Sequence, residues 1–293
     1  MEIQQKKISY RQKNPTICPV CSHDFYREDL LTGGGRLIAG ILTDELRRLY
    51  EESKKFGLIY PIAYSVTVCP SCLYSAFPKD FESLSSKEVE TLSKLTSARK
   101  LSFKKFFGSL SFEENRTPET GAASYMLAID CYNFRNKEIA PTFKSALCAL
   151  RAAWLFSDLT EKYPDRPYGK ISIFFYNKAY HLYLEVLGLI QNGGEPYDAI
   201  NNMGPDTDKN WGYEGILYLT AVLSVKYGVN EPDPKKKIYN LQESKRHLSR
   251  IFGFGKSSKE KPTELLEKTR DYYDIIRQKL NEWEQEDLNA KDA

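Results

Sequence analysis

Two short stretches of this chain hold residues whose type and spacing point to metal chemistry. Cys18-Pro19-Val20-Cys21 and Cys69-Pro70-Ser71-Cys72 both read C-P-x-C, and 47 residues lie between them. A C-x-x-C turn presents two thiolates to one side of an ion, and a second turn closes the other side. Zinc takes four such sulfurs in a tetrahedron at about 2.3 Å. The long spacer is no obstacle, because loop-closure entropy grows only slowly with length. Four thiolates leave no position open for water or substrate. The spacing therefore predicts a structural zinc ion held by Cys18, Cys21, Cys69 and Cys72, not a catalytic one. Four unligated core thiols would not require paired C-P-x-C turns.

Two other chemistries use the same motif. Rubredoxin-like iron sits between two such knuckles, typically with glycines that are missing here. Thiol redox chemistry places C-P-x-C before a helix N-terminus, which lowers the first thiol's pKa. Neither Ser22-His23-Asp24-Phe25 nor Leu73-Tyr74-Ser75 shows a helix start. Thiol or iron redox chemistry stands as one alternative.

The remaining chemistry-bearing residues offer no reaction. His23 lies two residues past Cys21 and is expected at the surface or behind the ligands, since four cysteines already fill a site. His181 and His247 fall among apolar neighbours at helical positions, as satisfied helix residues. Cys131 and Cys148 read as small buried hydrophobes. With three histidines and no pairing of nucleophile with base, no enzyme is expected. The run from Arg99 to Phe107 interleaves basic and aromatic side chains, a pattern able to meet single-stranded nucleic acid or a membrane surface. The plainer reading is a linker helix with its phenylalanines inward and its lysines in water. Lys235-Lys236-Lys237 reads as a solvated loop.

The elements that must position the knuckles change character along the chain. Residues 1–14 form a polar tail or a first edge strand, and Gly33-Gly34-Gly35 breaks regular structure. A helix is predicted over Thr43–Lys55, with Asp44 and Glu45 in its first turn and Gly57 as its stop. Tyr64–Val68 alternates apolar and polar residues and predicts a strand entering the second knuckle. Ser85 and Glu88 form a capping-box pattern. Ala98–Arg116 carries no clear assignment and is taken as the join between two parts. From Thr117-Pro118 onward the pattern is helical: Thr117 to about Phe134, Ala140–Tyr163, Tyr168–Gln191, Trp211–Tyr227, Ile238–Phe252 and Thr263–Glu286. Glycines past several helix ends, and mostly short loops, point to antiparallel helix pairs. Tyr176, Tyr180 and Tyr183 either line a groove or pack between pairs.

These readings combine into an α+β zinc-ribbon-like module over residues 1–110. An all-α, TPR-like helical-repeat domain follows over 111–293, so the chain is mostly α. A strict 34-residue repeat cannot be laid down, and Val229–Lys237 is too long a loop for one.

The balance of 42 basic and 39 acidic residues gives a net charge of +3. That is little for a dedicated nucleic-acid binder, although a nucleic-acid-associated zinc-ribbon factor remains the other alternative. No run approaches the ~18 apolar residues of a membrane span. The polar start has no signal-like apolar core, and the cysteine usage suits a reducing compartment, so a cytoplasmic location is expected.

The stretches KNPTICPVCSHDF, YPIAYSVTVCPSCLYSAFPKDF and LRAAWLFSDL resemble a bacterial family, domain of unknown function 2225. The resemblance runs over roughly residues 13–285. It implies two CPxC knuckles followed by a TPR-like helical half, with metal ligands at Cys18, Cys21, Cys69 and Cys72. The chain departs from the usual knuckle pattern at Ser22 and Leu73, where glycine is common. Val229–Lys237 and Gly253–Lys261 look like insertions. The family carries no agreed activity to transfer. The expected function is a non-catalytic scaffold: zinc holds the N-terminal module and the helices bind a protein partner.

Overall fold

The structure, a computed structural model, describes residues 7–200, 202–252 and 262–291. The first part of the polar tail, the expected helix stop at Gly253 and the Gly253–Lys261 insertion lie outside the described residues. The chain is mostly helical, with small antiparallel strand pairs gathered before residue 77.

Each knuckle sits at the tip of a two-stranded ladder. Strand β1 (Ser9–Arg11) pairs with β4 (Glu28–Leu30), and between them β2 (Thr16–Ile17) pairs with β3 (Asp24–Phe25) around Cys18 and Cys21. The second knuckle repeats this arrangement with β7 (Thr67–Val68) and β8 (Ser75–Ala76). Only the end of the predicted Tyr64–Val68 strand is extended, because Pro61–Tyr64 forms a 3-10 turn. The backbone at Gly121 packs directly on that turn, where a Cβ would meet Ala63 atoms at 2.8 Å. Tyr125 donates to the Ile62 carbonyl at 2.6 Å beside it.

The helices follow in order: α1 (Pro78–Phe81), α2 (Ser86–Lys94), α3 (Thr96–Phe107), α4 (Pro118–Tyr132), α5 (Pro141–Lys162), α6 (Tyr168–Asn192), α7 (Gly212–Tyr227), α8 (Pro234–Phe252) and α9 (Thr263–Lys291). From α4 onward each packs against the next. The capping signals act as the sequence implies. Ser85 and Glu88 cap α2 reciprocally, and Thr117 accepts from the Thr120 N–H at the start of α4. Gly193, at φ 65°, ends α6. The unassigned Ala98–Arg116 stretch contributes most of α3. Helix α8 starts four residues earlier than predicted, because the Asp233 carboxylate accepts from Lys235 N–H and Pro234 suits a first helical position. Lys235–Lys237 thus belong to its first turn and not to a loop.

One predicted helix is absent. Residues 43–55 do not form a helix; β5 (Ile38–Leu42) and β6 (Arg48–Glu51) form a hairpin whose tip is Thr43–Arg47. Leu46 turns the chain at φ 57° and is fully buried. The two acidic residues that resemble a helix first turn are instead bound by the helices. Glu45 accepts from Trp154 Nε1 at 2.6 Å, Tyr176 OH at 3.1 Å and Lys226 Nζ at 2.9 Å, on α5, α6 and α7. Asp44 meets Tyr272 and Lys268 of α9. Arg47 forms a forked pair with Asp158 of α5. Tertiary partners outweigh the local preference for a helix. Tyr176 also stacks on Tyr227, with centroids 4.6 Å apart, while Tyr180 and Tyr183 are buried, so all three pack rather than line an open groove.

A second buried hub ties α2 to the end of α4. Arg135 donates to Glu88 at 3.0 Å, to Tyr74 OH at 3.0 Å and to the Asp80 carbonyl at 3.1 Å. Burial alone would raise the Glu88 carboxyl, but hydrogen bonds from Ser85, Asn136 and Arg135 hold it below its ordinary value.

Glu45→Ala removes the acceptor for three helices and leaves the Trp154 N–H buried and unpaired. A loss of about 3 kcal/mol is expected, discounted because Lys226 is about a third exposed. Urea unfolding checks this, and a loss below about 1 kcal/mol would show that the tip does not staple the helices.

Candidate metal centre

Cys18, Cys21, Cys69 and Cys72 come together with their four sulfurs within 4.8 Å of one another. The Cys18–Cys72 and Cys21–Cys69 sulfurs are 3.6 Å apart. A tetrahedron of sulfurs about 2.3 Å from a central ion has edges of about 3.8 Å, so this set could hold a metal ion. Among the described residues no histidine or carboxylate joins the cluster.

The local backbone explains how two short turns achieve this. In the first knuckle, the Ser22 N–H donates to the Cys18 carbonyl and the Cys18 N–H to the His23 carbonyl, each at 2.9 Å. In the second, the Leu73 N–H donates to the Cys69 carbonyl and the Cys69 N–H to the Tyr74 carbonyl, again at 2.9 Å. The two knuckles are built alike. Both Ser22 and Leu73 adopt φ 59°, the left-handed conformation that glycine occupies more cheaply. The departures from glycine therefore leave knuckle geometry intact and store roughly 1–2 kcal/mol of strain at each position. Leu73 offsets its share by burial against the core, whereas Ser22 is exposed.

Three of the cysteines are buried and Cys21 is exposed. The protonation equilibria of Cys18, Cys69 and Cys72 are interdependent, as expected when several thiols crowd one point. Hydrogen bonds to Cys69 and Cys72, with burial, push the Cys18 thiol up. Hydrogen bonds from Cys18 and Cys69 pull the Cys72 thiol down. One thiolate can be sheltered by its neighbours, but four cannot ionise together without a cation.

Arg99 of α3 reaches the cluster from behind. It is 4% exposed, and its Nε and Nη2 donate to the Cys72 carbonyl at 3.0 and 2.9 Å. Further bonds to the Leu92 carbonyl and Thr96 hydroxyl fix its fork. A divalent ion with four thiolates is a dianion, and Arg99 places positive charge beside it. Read from the sequence, Arg99 only opens the basic and aromatic run to Phe107, with no buried role expected of it. Its four-residue offset from buried Phe103 was the available signal, since both fall on one helix face. The rest of the run matches the linker-helix reading in part: Lys100, Lys104 and Lys105 are exposed, but so is Phe106 at 66%.

The other singled-out residues do not join the centre. His23 and His181 are exposed. His247 is buried with Nδ1 unpartnered, so it is not the satisfied residue expected, and burial lowers its pKa. Cys131 and Cys148 are buried, and burial pushes the Cys131 thiol up to about 12 and the Cys148 thiol up as well.

The family model described as "Uncharacterized protein conserved in bacteria (DUF2225)" matches residues 11–276. A Borreliella burgdorferi relative carrying the name "Uncharacterized protein" is 43% identical over 268 residues, covering 92% of this chain and 96% of the relative. No solved structure matches. The chain belongs to the DUF2225 family.

Replacing Arg99 with Met keeps most of the aliphatic bulk and removes the clamp. Metal affinity is expected to fall about 10–100-fold, read by competition with a chelator. An unchanged affinity would mean that Arg99 only packs α3. Ser22→Gly is expected to raise the thermal midpoint through about 0.5–1 kcal/mol of relieved strain, and a lowered midpoint would count against the strained-knuckle account.

Proposed function

We propose that this DUF2225 member is a non-catalytic scaffold whose N-terminal module, residues 1–110, is held by one structural zinc on Cys18, Cys21, Cys69 and Cys72. In this reading, residues 111–293 form a TPR-like helical array that binds a protein partner. The observation carrying the proposal is the closed set of four sulfurs within 4.8 Å, which would leave a bound ion no open position for substrate. Thiolates select zinc over hard cations, and folding free energy is then coupled to metal binding.

The helical side of the reading is narrowed by the hairpin. Residues 44–47 already occupy the surface shared by α5, α6, α7 and α9. A partner would therefore meet another helical surface, such as the one where α6 exposes Ile173 at 56% and Phe174 at 61%. No helix among the described residues is long and apolar enough to cross a membrane.

Elemental analysis of protein purified without a metal-affinity tag, paired with a free-thiol titration, tests the centre. About one zinc per chain is expected, with the four clustered thiols shielded until the metal is stripped. Cys69→Ser is expected to unfold the N-terminal module while most helical circular dichroism persists. Bound iron with visible colour, or a metal-free chain with four reactive thiols, would overturn the structural-zinc proposal and bring redox chemistry forward.

A further inference from the structure

We propose that a cavity beside α5 binds a small organic carboxylate with an apolar body, and that Arg151 recognises its charge. The cavity has a volume of about 370 Å³ and lies between α1, α5 and the loop at 199–207. That volume falls within the range of small-molecule sites. Phe143, Leu147 and Arg151 recur at four-residue intervals on α5 and form the floor, with Phe77 on one side and Ile200 and Thr207 on the other.

Arg151 is 5% exposed, and its Nε donates to the Pro205 carbonyl at 2.7 Å. Its guanidinium carbon lies 5.8 Å from the centre of the Phe77 ring. Among the described residues no carboxylate forms an ion pair with it. Its guanidinium interacts with the Tyr125 hydroxyl, and buried Asp206 acts on it at longer range while the Asp206 oxygens accept from the backbone N–H groups of Arg48 and Thr207. Among other buried or half-buried arginines, Arg135 has Glu88 and Arg47 has Asp158 in contact, whereas Arg99 and Arg116 donate to the backbone carbonyls of Cys72 and Val66. A buried cation without a close counter-charge is costly unless a ligand supplies one.

The cavity's other inner cation, Lys144, is already paired with Asp80 at 2.8 Å. No carboxylate touches the guanidinium directly, and the N–H groups not held by the Pro205 carbonyl and Tyr125 suit a single planar carboxylate. The phenylalanine, leucine and isoleucine walls select an aliphatic or aromatic body over a hydrated one. This site is independent of the zinc proposal, since none of its residues belongs to the cysteine cluster.

Calorimetric titration of the full chain, in one fixed metal state, with hexanoate and 3-phenylpropionate tests the assignment. Their neutral amides serve as controls. Saturable binding of a carboxylate is expected, with its amide about tenfold weaker or more. Thr207→Trp, at the exposed rim, is expected to block binding while leaving circular dichroism and the melting midpoint unchanged. Arg151→Gln is expected to weaken the carboxylate and spare the amide, and should it fail to fold, the rim variant still decides. Binding of neither carboxylate, equal binding of the amides, or unchanged affinity in Thr207→Trp would each overturn the proposal.

Discussion

Four thiols drawn to one point impose the governing constraint on the N-terminal part of this protein. Sulfurs within 4.8 Å of one another cannot all be ionised unless a cation sits among them. The surrounding structure holds the four sulfurs in place. Two knuckles of identical hydrogen-bond pattern accept left-handed backbone at Ser22 and Leu73, and the Arg99 guanidinium is clamped on the Cys72 carbonyl. The strain and the buried cation are unfavourable taken singly. A cation held among the four sulfurs would offset both.

Buried charge also explains how the strand pairs and helices stay in register with one another. Apolar packing is continuous from Cys18 to Leu280, but packing is non-directional and tolerates sliding. The ionic contacts do not. Arg135 gathers Glu88, Tyr74 and two backbone carbonyls, and Glu45 gathers donors from three helices. Each hub admits one arrangement, because leaving any of these groups unpaired in the interior costs more than the hydrogen bond itself contributes.

The hairpin tip changes how the helical part is understood. Helical arrays of this kind invite the expectation of a free binding face. Here Asp44, Glu45, Leu46 and Arg47 from the same chain fill the surface between helices, and Tyr176 and Tyr227 stack beneath them. Arg151 is a buried arginine with no carboxylate in ion-pair contact among the described residues, and it lies on α5 beside Phe77 at the second knuckle's exit.

By itself the sequence determined those features that depend on neighbours along the chain. The C-P-x-C turns, the Ser85–Glu88 and Thr117 caps, the glycine stop after α6 and the spans of α4 to α7 were all legible, because capping, turn geometry and helical periodicity act within a few residues. Thr43–Lys55 failed for the opposite reason. Its acidic residues and leucines satisfy local helix rules, while the partners that hold it as a hairpin tip lie more than a hundred residues away at Trp154, Lys226 and Tyr272. Arg99 and Arg151 looked like ordinary charged helix residues, and only tertiary packing removes them from water and aims one at a cysteine carbonyl and the other into a cavity. Burial converts a side chain's surroundings from solvent into specific partners, and which partners those are is decided by contacts that no local pattern encodes.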